Sequence, residues 1–248
     1  MAIPLLTLAL PVSAWAQTDE IQVYDATIAD QGQFEVEFHN NYTPIGRTSP
    51  DYPGGIAPSH ALNGVPEFSY GVTPWLEAGL YLPVYTITNQ GRPELDSGKI
   101  RALFVSPFAA NRVFFYGLNF ELSYNAYHWE QTRFSGEVRP ILGLHLKAWD
   151  VIVNPIVDTD FKGFGRLTFA PCERIAYNFS PVWAAAVEHY ADFGQVADFL
   201  PLRKEAQTLF AVADYRIEDS HYVEAGIGHG FTQGSDAMVL KLMIGLDF

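Results

Sequence analysis

Several segments of the chain carry charged side chains at alternate positions, and these charges could pair if the segments are neighbouring strands. Between residues 113 and 146 the alternating charged set includes Glu121, Glu137 and Arg139. Successive side chains of a strand point to opposite faces, so such a set shares one face. Glu121 and Glu137 would lie nearly opposite each other, and facing carboxylates repel unless cations intervene. We therefore predict a cluster in which Arg101 and Arg139 compensate Glu121 and Glu137.

A second expected ion pair joins Lys241 and Glu37. Lys241 belongs to the last regular segment and Glu37 to the first. If the sheet closes on itself, its first and last strands become neighbours. We then expect the two side chains within about 8 Å, close to the reach of a charged hydrogen bond. Arg174 is expected on the same internal face as these charges.

This set of charges has two interpretations. Rings of charged side chains select solutes by charge in pores, whereas compensated charges would only fill and stiffen a barrel. The chain has 28 acidic and 15 basic residues and a formal net charge of -13. An open lumen would therefore favour cations or neutral solutes over anions. The same charge argues against nucleic acid as a partner, because phosphates need a basic surface.

Enzymatic chemistry has weaker support. Ser59-His60 and Ser220-His221 are adjacent pairs, and adjacent side chains of an extended strand point to opposite faces. The sequence contains no His-x-Ser, and Cys172 and the histidines have no zinc-binding spacing. We therefore expect no metal and no cofactor, and a hydrolase is the weakest functional alternative.

The elements that would position these residues are strands. Twelve segments have strand-like alternation or composition. They span residues 33–42, 66–72, 76–86, 98–107, 113–124, 134–146, 149–158, 167–177, 182–191, 206–215, 221–230 and 237–248. In the segment 113–124, Phe114 and Phe120 would face outward, and Phe115 and Glu121 inward.

The connections between these segments alternate between short and long along the chain. The longest, 43–65, is rich in proline and glycine and would either narrow the barrel or cap it. Tight turns at one end and long loops at the other are typical of outer-membrane barrels. We therefore predict an all-β fold, an antiparallel transmembrane β-barrel of about twelve strands, with short periplasmic turns and longer outer loops.

Residues 1–16 are predicted to be a signal peptide. The run is apolar and ends in Ala14-Trp15-Ala16, a small-x-small cleavage site. Residues 17–248 would then form a single barrel domain in the bacterial outer membrane. Within it, residues 17–32 precede the first clear strand and would be either a periplasmic tail or a plug segment.

The last strand carries a large apolar residue at every second position. These residues are Leu240, Leu242, Ile244, Leu246 and the terminal Phe248. Such a strand resembles the C-terminal assembly signal of Gram-negative outer-membrane β-barrel proteins. The resemblance implies recognition by the barrel-assembly machinery during biogenesis, and surroundings of outer-membrane lipid and lipopolysaccharide.

The chain also has an overall resemblance to outer-membrane transporters linked to the degradation of aromatic compounds. For the barrel itself we predict passive passage of small solutes. The resemblance implies that the inward aromatics Tyr81, Tyr85 and Phe115 lie along the solute path, and packing in the wall is the alternative for these three rings. Two alternatives stay open. One is a sealed structural or adhesive barrel that acts through its outer loops, and the other is an outer-membrane lipid hydrolase.

Five residues do not fit regular strands. Pro83, Pro140, Pro155 and Pro171 lie inside predicted strands, where proline cannot donate to the hydrogen-bond ladder. We expect bulges or breaks at these positions. Glu173 falls on the apolar face of its segment, so either a bulge changes the phase or Glu173 meets something other than lipid.

Overall fold

The computed structural model describes residues 20–217 and 221–248, which form a closed antiparallel β-barrel. The strands are β1 (Phe34–Ile45), β2 (Leu62–Thr73), β3 (Leu76–Ile87), β4 (Pro93–Val105), β5 (Phe114–Asn125), β6 (Phe134–Leu146), β7 (Trp149–Asn154), β8 (Val157–Thr159), β9 (Thr168–Phe169), β10 (Cys172–Asn178), β11 (Trp183–Asp192), β12 (Gly194–Gln195), β13 (Asp198–Phe199), β14 (Ala206–Ile217), β15 (His221–Gly230) and β16 (Met238–Asp247). Two short 3-10 turns, η1 (Ala109–Asn111) and η2 (Phe164–Arg166), lie in connections. Within the described ranges, no helix has the length and apolar character needed to cross a bilayer.

The barrel wall contains twelve strands, as predicted. β1 pairs with both β2 and β16, which closes the sheet on itself. β7 and β8 together make the seventh strand of the wall, and β9 and β10 together make the eighth. The β12–β13 hairpin belongs to the connection between β11 and β14. Closure removes the free edges of the sheet. A strand can cross a bilayer only when all its backbone groups are hydrogen-bonded, so this closure is required.

Three prolines interrupt the wall at one level. β6 keeps one register with β7 and β8, and this register places Pro140 opposite Pro155. The register of β7 and β8 with their other neighbours places Pro155 opposite Pro171. Proline has no N–H to donate, so the ladder cannot be complete here. The predicted breaks occur at Pro155 and Pro171, whereas β6 continues through Pro140.

Pro83 lies at a bulge in β3. The register between β3 and β4 shifts between Tyr81 and Val84 and again before Tyr85. Tyr81 and Val84 are both fully buried, whereas the Tyr85 hydroxyl donates to Oδ1 of Asn40 on the outward face of β1. The bulge therefore reverses the faces of the strand beyond Pro83. Tyr85 points outward, and its predicted inward orientation is wrong.

The outward face of the barrel is apolar. In β5, Phe114 and Phe120 are 52% and 42% exposed, whereas the intervening Phe115 is fully buried. Near the short connections, aromatic rings pair on the outward face in the contacts Phe34–Tyr70, Trp149–Tyr177 and Trp183–Tyr215. An apolar band bordered by aromatic rings is typical of a barrel in a bilayer.

The two ends of the barrel differ in their connections. We call the end with the longer connections, such as 46–61 and 193–205, the loop end, and the other the turn end. Both β1 and β2 extend into the loop predicted over 43–65, which leaves 46–61. The connection 106–113, at the turn end, contains η1.

Residues 20–29 run inside the barrel, and Asp30, Gln31 and Gly32 are exposed at its end. At the turn end, Gln31 forms a bridge with Gly71 of β2, and the Ala29 N–H donates to Oε2 of Glu77 over 2.6 Å. From there the segment runs toward the middle of the lumen, where it reaches Glu20. Of the segment 17–32 predicted as a tail or plug, residues 20–29 are in the lumen. The signal peptide predicted over 1–16 lies outside the described residues.

Candidate functional site

The segment 20–32 occupies the lumen at the turn end, where its Asp25 and Thr27 stay exposed. Val23, Tyr24 and Ala26 pack against buried side chains of the wall, which are Leu103, Val105, Ala109, Phe115, Ile141, Ile152, Ile156 and Cys172. The Tyr24 N–H donates to Oδ1 of Asn154 over 2.7 Å, and Nδ2 of Asn154 donates to the Tyr24 carbonyl over 3.0 Å. Asn154 thereby satisfies both backbone groups of a residue that has no strand partner.

The ring of Tyr24 lies between two arginines of the wall. The Arg139 guanidinium carbon is 4.1 Å from the ring centroid and that of Arg101 is 5.4 Å away. Both distances are within cation–π range. The Tyr24 hydroxyl contacts the hydroxyl of Tyr81 and donates to Oε1 of Glu121 over 3.4 Å. A single aromatic residue of the segment thus contacts charged groups on several wall strands.

Arg101 compensates different carboxylates from those predicted. Its Cα is paired with that of Glu121, but its guanidinium contacts Glu67 and, over 2.6 Å, Glu77. The reason is Gly79, which lies opposite Arg101 on β3. A Cβ on Gly79 would be 2.5 Å from Cγ of Arg101. The arginine chain therefore lies across a residue without a side chain and extends toward β2 and β3, away from β5.

The other members of this predicted cluster do lie together. Glu121 and Glu137 are directly opposite in the β5–β6 register, and Nε of Arg139 is 2.6 Å from Oε1 of Glu137. Glu20, from the lumen segment, joins them at 3.3 Å from Nη1 of Arg139. Lys99 replaces Arg101 as the second cation, with its Nζ 3.9 Å from both Glu20 and Glu121.

Arg174 and Lys241 form a separate cluster on the opposite side of the lumen. Arg174 contacts Glu188 and Asp214, and Nη1 of Arg174 is 3.1 Å from Glu224. Lys241 contacts Glu188, and its Nζ is 2.6 Å from Oε1 of Glu224. The two cations therefore share two of the three carboxylates.

The expected approach of Lys241 to Glu37 does not occur. The closing seam pairs Lys241 with Asn41, and Glu37 with Gly245. Asn41 and Glu37 are four positions apart in β1, which is about 13 Å along a strand. The lysine chain instead lies next to Gly226 and extends across the lumen. The sequence identified the seam correctly but not its register.

Glu37 contacts His39. Glu37 and Glu67 are opposite each other in the β1–β2 register, and Nε2 of His39 is 3.5 Å from Oε2 of Glu37 and 3.3 Å from Oε2 of Glu67. Among residues 20–217 and 221–248, this is the one set of three side chains with ligand atoms close enough to share a metal ion. A protonated His39 would neutralise the same two carboxylates without a metal.

Two of the predicted solute-path aromatics are covered. Tyr81 and Phe115 are both fully buried. Tyr81 contacts the Tyr24 hydroxyl, and Phe115 packs in the cluster that includes Val23 and Tyr24. Because Tyr85 faces outward, none of the three lines open space in this conformation. Movement of the segment 20–32 would be needed to expose Tyr81 and Phe115.

A cavity of about 340 Å³ occupies the loop side of the lumen. We call this cavity the vestibule. Its floor is formed by Glu20, Ile21 and Gln22, and its wall includes apolar side chains. These apolar residues are Ile56, Pro58, Ala61, Ile156, Ala170, Pro171, Ala191, Phe210 and Val239. Its volume is in the range of small-molecule sites.

The loop 46–61 borders the mouth of the vestibule and is fastened to neighbouring loops. The Tyr52 hydroxyl donates to the Tyr127 carbonyl over 2.7 Å, and the Ile56 N–H donates to the carbonyl of His128 over 3.1 Å. Nε of Arg47 is 3.2 Å from Oδ1 of Asp236 in the connection 231–237. These contacts span three loops. The loop therefore narrows the entrance without entering the turn side of the lumen.

The vestibule has an excess of negative charge. Of the described residues, seven carboxylates line it, together with four permanent cations. The carboxylates are Glu20, Asp51, Glu130, Glu137, Asp158, Asp160 and Asp236, and the cations are Arg47, Lys99, Arg139 and Arg166. Each of these cations already contacts a carboxylate. Asp158 lies opposite Glu137 in the β6–β8 register. Within residues 20–217 and 221–248, Asp158 has no hydrogen bond or ion pair.

The structure resembles solved barrels of the bacterial outer membrane. The COG4313 outer membrane channel from Pseudomonas putida F1 aligns with a TM-score of 0.62 at 14% identity, over 92% of this chain and 100% of that one. The KdgM porin aligns with a TM-score of 0.57 at 10% identity, over 86% and 99% of the two chains. No protein-family model and no curated protein matches the sequence. The fold is that of a Gram-negative outer-membrane β-barrel.

The outward face of this barrel carries one polar group that the strand pattern left unexplained. The register around Pro171 does not change, so Glu173 stays on the outward face. It meets His189, with 2.8 Å between Oε1 and Nδ1, and Nε2 of His189 is 2.7 Å from Oε1 of Gln207. Of the two explanations for Glu173, the structure therefore favours contact with polar side chains.

The adjacent pair Ser59 and His60 is brought together by its loop. His60 has a φ of 60°, and Oγ of Ser59 is 2.9 Å from Nδ1 of His60. Within the described ranges, no carboxylate contacts His60, so the third member of a catalytic triad is missing there. Ser220, the serine of the second pair, lies outside the described residues.

Sequence reasoning missed the residues that close the lumen. Glu20, Tyr24 and Asn154 were not singled out, because a segment outside the sheet has no strand partner from which to infer contacts. The alternation of Ile21 and Val23 with polar residues was the available signal. Asp158 shares the inward phase of its predicted strand and could have been found from that phase.

Proposed function

We propose that this barrel is an outer-membrane channel for small solutes and that the segment 20–32 closes it. The main support is the position of the segment, which packs on the turn side of the lumen and leaves, among the described residues, a cavity on the other side. A solute that enters the vestibule meets Glu20, Ile21 and Gln22 as its floor. Passage then requires the segment to move.

The contacts of the segment are compatible with such movement. Tyr24 makes two hydrogen bonds to Asn154, and its ring contacts neighbouring aromatic and charged side chains of the wall. Ala29 makes one hydrogen bond to Glu77. These are non-covalent contacts, and each hydrogen bond contributes only about 1 kcal/mol net. The described contacts of the segment with the wall are made by side chains, by single backbone groups and by one bridge at Gly71. The segment can therefore leave the lumen without disturbing the hydrogen bonds between the wall strands.

An outer-membrane location is part of this proposal. The outward apolar band and its paired aromatic rings fit lipid and lipopolysaccharide as surroundings. The alternate residues Leu240, Leu242, Ile244, Leu246 and Phe248 would carry the signal for the barrel-assembly machinery. Leu240, Leu242 and Phe248 are exposed on the finished barrel. Export would use residues 1–16 as a signal peptide.

The comparisons support passage of solutes in general terms only. The two similar structures are described as an outer membrane channel and a porin. A KdgM porin structure with a TM-score of 0.53 contains disordered oligogalacturonate, which is a polyanion. The acidic vestibule of this chain disfavours such a solute. We therefore propose small cationic or neutral solutes.

Deletion of residues 20–31 tests the closure. The refolded variant in a planar bilayer should conduct several-fold more than the unaltered barrel, because the turn side of the lumen is then open. Deletion of residues 48–60, which border the mouth, should change conductance much less and serves as a control for shortening the chain. Equal conductance of the unaltered barrel and the 20–31 deletion, both shown to be folded, would contradict the proposal.

A further inference from the structure

We propose that the vestibule binds an organic ammonium ion that carries an apolar body. This inference deepens the proposed function, on which it rests for the entry of solute from the loop end. Its starting point is the charge balance, in which seven carboxylates and four cations line the same space. A buried or enclosed excess charge is unfavourable unless a counter-charge accompanies it.

Two carboxylates provide the positions for that counter-charge. Asp158, on the wall, makes no hydrogen bond and no ion pair within the part of the chain that the structure describes. Glu20, on the floor, has a side chain only 2% exposed, and its Oε2 accepts no hydrogen bond. Nζ of Lys99 is 3.9 Å from that oxygen, and Arg139 contacts the other carboxylate oxygen. Both side chains line the vestibule, so a donor inside it could satisfy them.

The arrangement of these carboxylates favours an ammonium group over a metal ion. A metal needs several ligand atoms around one point. In the described ranges the one group that meets this condition is Glu37, His39 and Glu67, and none of its members lines the vestibule. An ammonium group carries three separate donors and can contact carboxylates that are further apart. Asp158 and Glu137 lie on neighbouring strands and suit such a ligand.

The apolar part of the wall determines the other half of the ligand. Ile156, Phe210 and Val239 line the vestibule together with the ring of Tyr190. These side chains offer favourable burial to an aromatic or aliphatic group. A small inorganic cation would leave this surface unused, and a neutral apolar molecule would leave Asp158 without a counter-charge. A ligand with an ammonium group and an apolar group would pair with the carboxylates and cover the apolar side chains of the vestibule.

Three probes of equal size separate these alternatives. Benzylammonium, benzyl alcohol and benzoate share one ring and differ in charge, and their binding to the refolded barrel can be followed by calorimetry at low ionic strength. Benzylammonium should bind at least about tenfold more tightly than benzyl alcohol, which corresponds to about 1.4 kcal/mol. Benzoate should bind most weakly. Equal or tighter binding of benzoate would overturn the inference.

Asp158→Asn isolates the carboxylate. The variant should lose about tenfold in affinity for benzylammonium and keep its affinity for benzyl alcohol, since one charge close to the ligand is removed. Asp198→Asn is the matched control, because Asp198 is exposed and does not line the vestibule. Heat-modifiable migration in gels verifies that both variants are folded. Equal affinities of the two variants for benzylammonium would overturn the inference.

Calcium ion is the probe for the inorganic alternative. At matched ionic strength, Ca²⁺ should displace benzylammonium no better than Na⁺ does, and displacement at a much lower concentration would overturn the inference. Binding and conductance also separate the two proposals. If benzylammonium binds but the barrel lacking residues 20–31 does not conduct, the channel proposal is contradicted and the binding site is retained. If that barrel conducts but benzylammonium is not preferred, the binding site is contradicted and the channel proposal is retained.

Discussion

The two sides of the lumen neutralise their carboxylates in different ways. On the turn side and at mid-lumen, Arg101, Arg139 and Lys241 each contact at least two carboxylates, and side chains of the segment 20–32 fill the space between the walls. On the loop side a cavity remains, and Asp158 lines it without a described partner.

This difference shows in which part of the lumen an unpaired carboxylate is compatible with a stable fold. A carboxylate packed among side chains has no water, so an unpaired one would destabilise the fold by several kcal/mol. A carboxylate that lines a cavity can be satisfied by water or by a ligand. The imbalance in the vestibule is therefore compatible with folding. It is also what a site for a cationic solute requires.

The largest effect is expected for Arg139→Met. This change removes the partner of both Glu20 and Glu137 and the closest cation to the Tyr24 ring. Breaking a buried ion pair from one side typically lowers stability by about 3–5 kcal/mol. Urea unfolding of the refolded barrel, followed by tryptophan fluorescence, should show this as a lower midpoint. The same variant should open more often in a planar bilayer.

Arg166→Met is the matched control for that experiment. Arg166 contacts Asp160 over 2.6 Å, but its side chain is 53% exposed. Exposed ion pairs contribute about 0–1 kcal/mol. Equal losses of stability in the two variants would remove the distinction between the buried ion pairs at mid-lumen and the exposed ion pair at the loop end.

Tyr24→Ala should have the second largest effect. The change removes a buried ring from between Arg139 and Arg101 and leaves a cavity beside Phe115. Aromatic-to-alanine changes in a core lower stability by about 3 kcal/mol or more. Part of the lost stability should appear as release of the segment 20–32 from the lumen, which bilayer recordings would show as frequent openings.

Tyr24→Phe is the control, because it keeps the ring and should leave the barrel mostly closed. If the Tyr24→Ala barrel is closed equally often, Tyr24 is not the residue that holds the segment in the lumen.

The wall of the barrel could be predicted from the sequence because its rules are local. Side-chain alternation predicted that Phe114 and Phe120 face outward and that Phe115 faces inward. The exposed fractions of the three side chains confirm this. Loop lengths placed Glu121 opposite Glu137, which the register shows. Where a proline breaks the alternation, the prediction fails, as Tyr85 shows beyond Pro83.

The interior could not be predicted in the same way, because its contacts cross the lumen. Arg101 extends over Gly79 to Glu67 and Glu77, and Lys241 contacts Glu188. Strand alternation predicts that these side chains point inward, but it does not predict which carboxylates they contact. Long side chains on the inward face have several carboxylates within reach. Which one they contact depends on where glycines leave room and on what the segment 20–32 covers.

Gly79→Ala tests whether room at a glycine decides the partners of Arg101. The new Cβ would lie 2.5 Å from Cγ of Arg101, so the arginine chain must move. Overpacking of this kind lowers stability by about 1–3 kcal/mol. Gly165→Ala is the control, because a Cβ there meets nothing within 4 Å. An unchanged urea midpoint in Gly79→Ala, matching that of Gly165→Ala, would count against this explanation.

The smallest effect is expected on the open side of the lumen, for Tyr52→Phe. The change removes the hydroxyl that donates to the Tyr127 carbonyl over 2.7 Å and keeps the ring. One hydrogen bond at an exposed loop contributes about 1 kcal/mol. The Ile56 N–H, which donates to the His128 carbonyl from the same loop, should exchange with solvent several-fold faster. The urea midpoint should hardly change, because the loop lies outside the wall.

Tyr127→Phe provides the comparison for that measurement. It keeps the carbonyl that Tyr52 uses and the contact between the two rings, whose centroids are 5.6 Å apart. Exchange at Ile56 should therefore stay as in the unaltered barrel. If the loop fastening only limits access to the vestibule, Tyr52→Phe should speed the binding and release of benzylammonium equally and leave its affinity unchanged. A changed affinity would mean that the loop contacts the bound ligand, so that the site extends to the mouth.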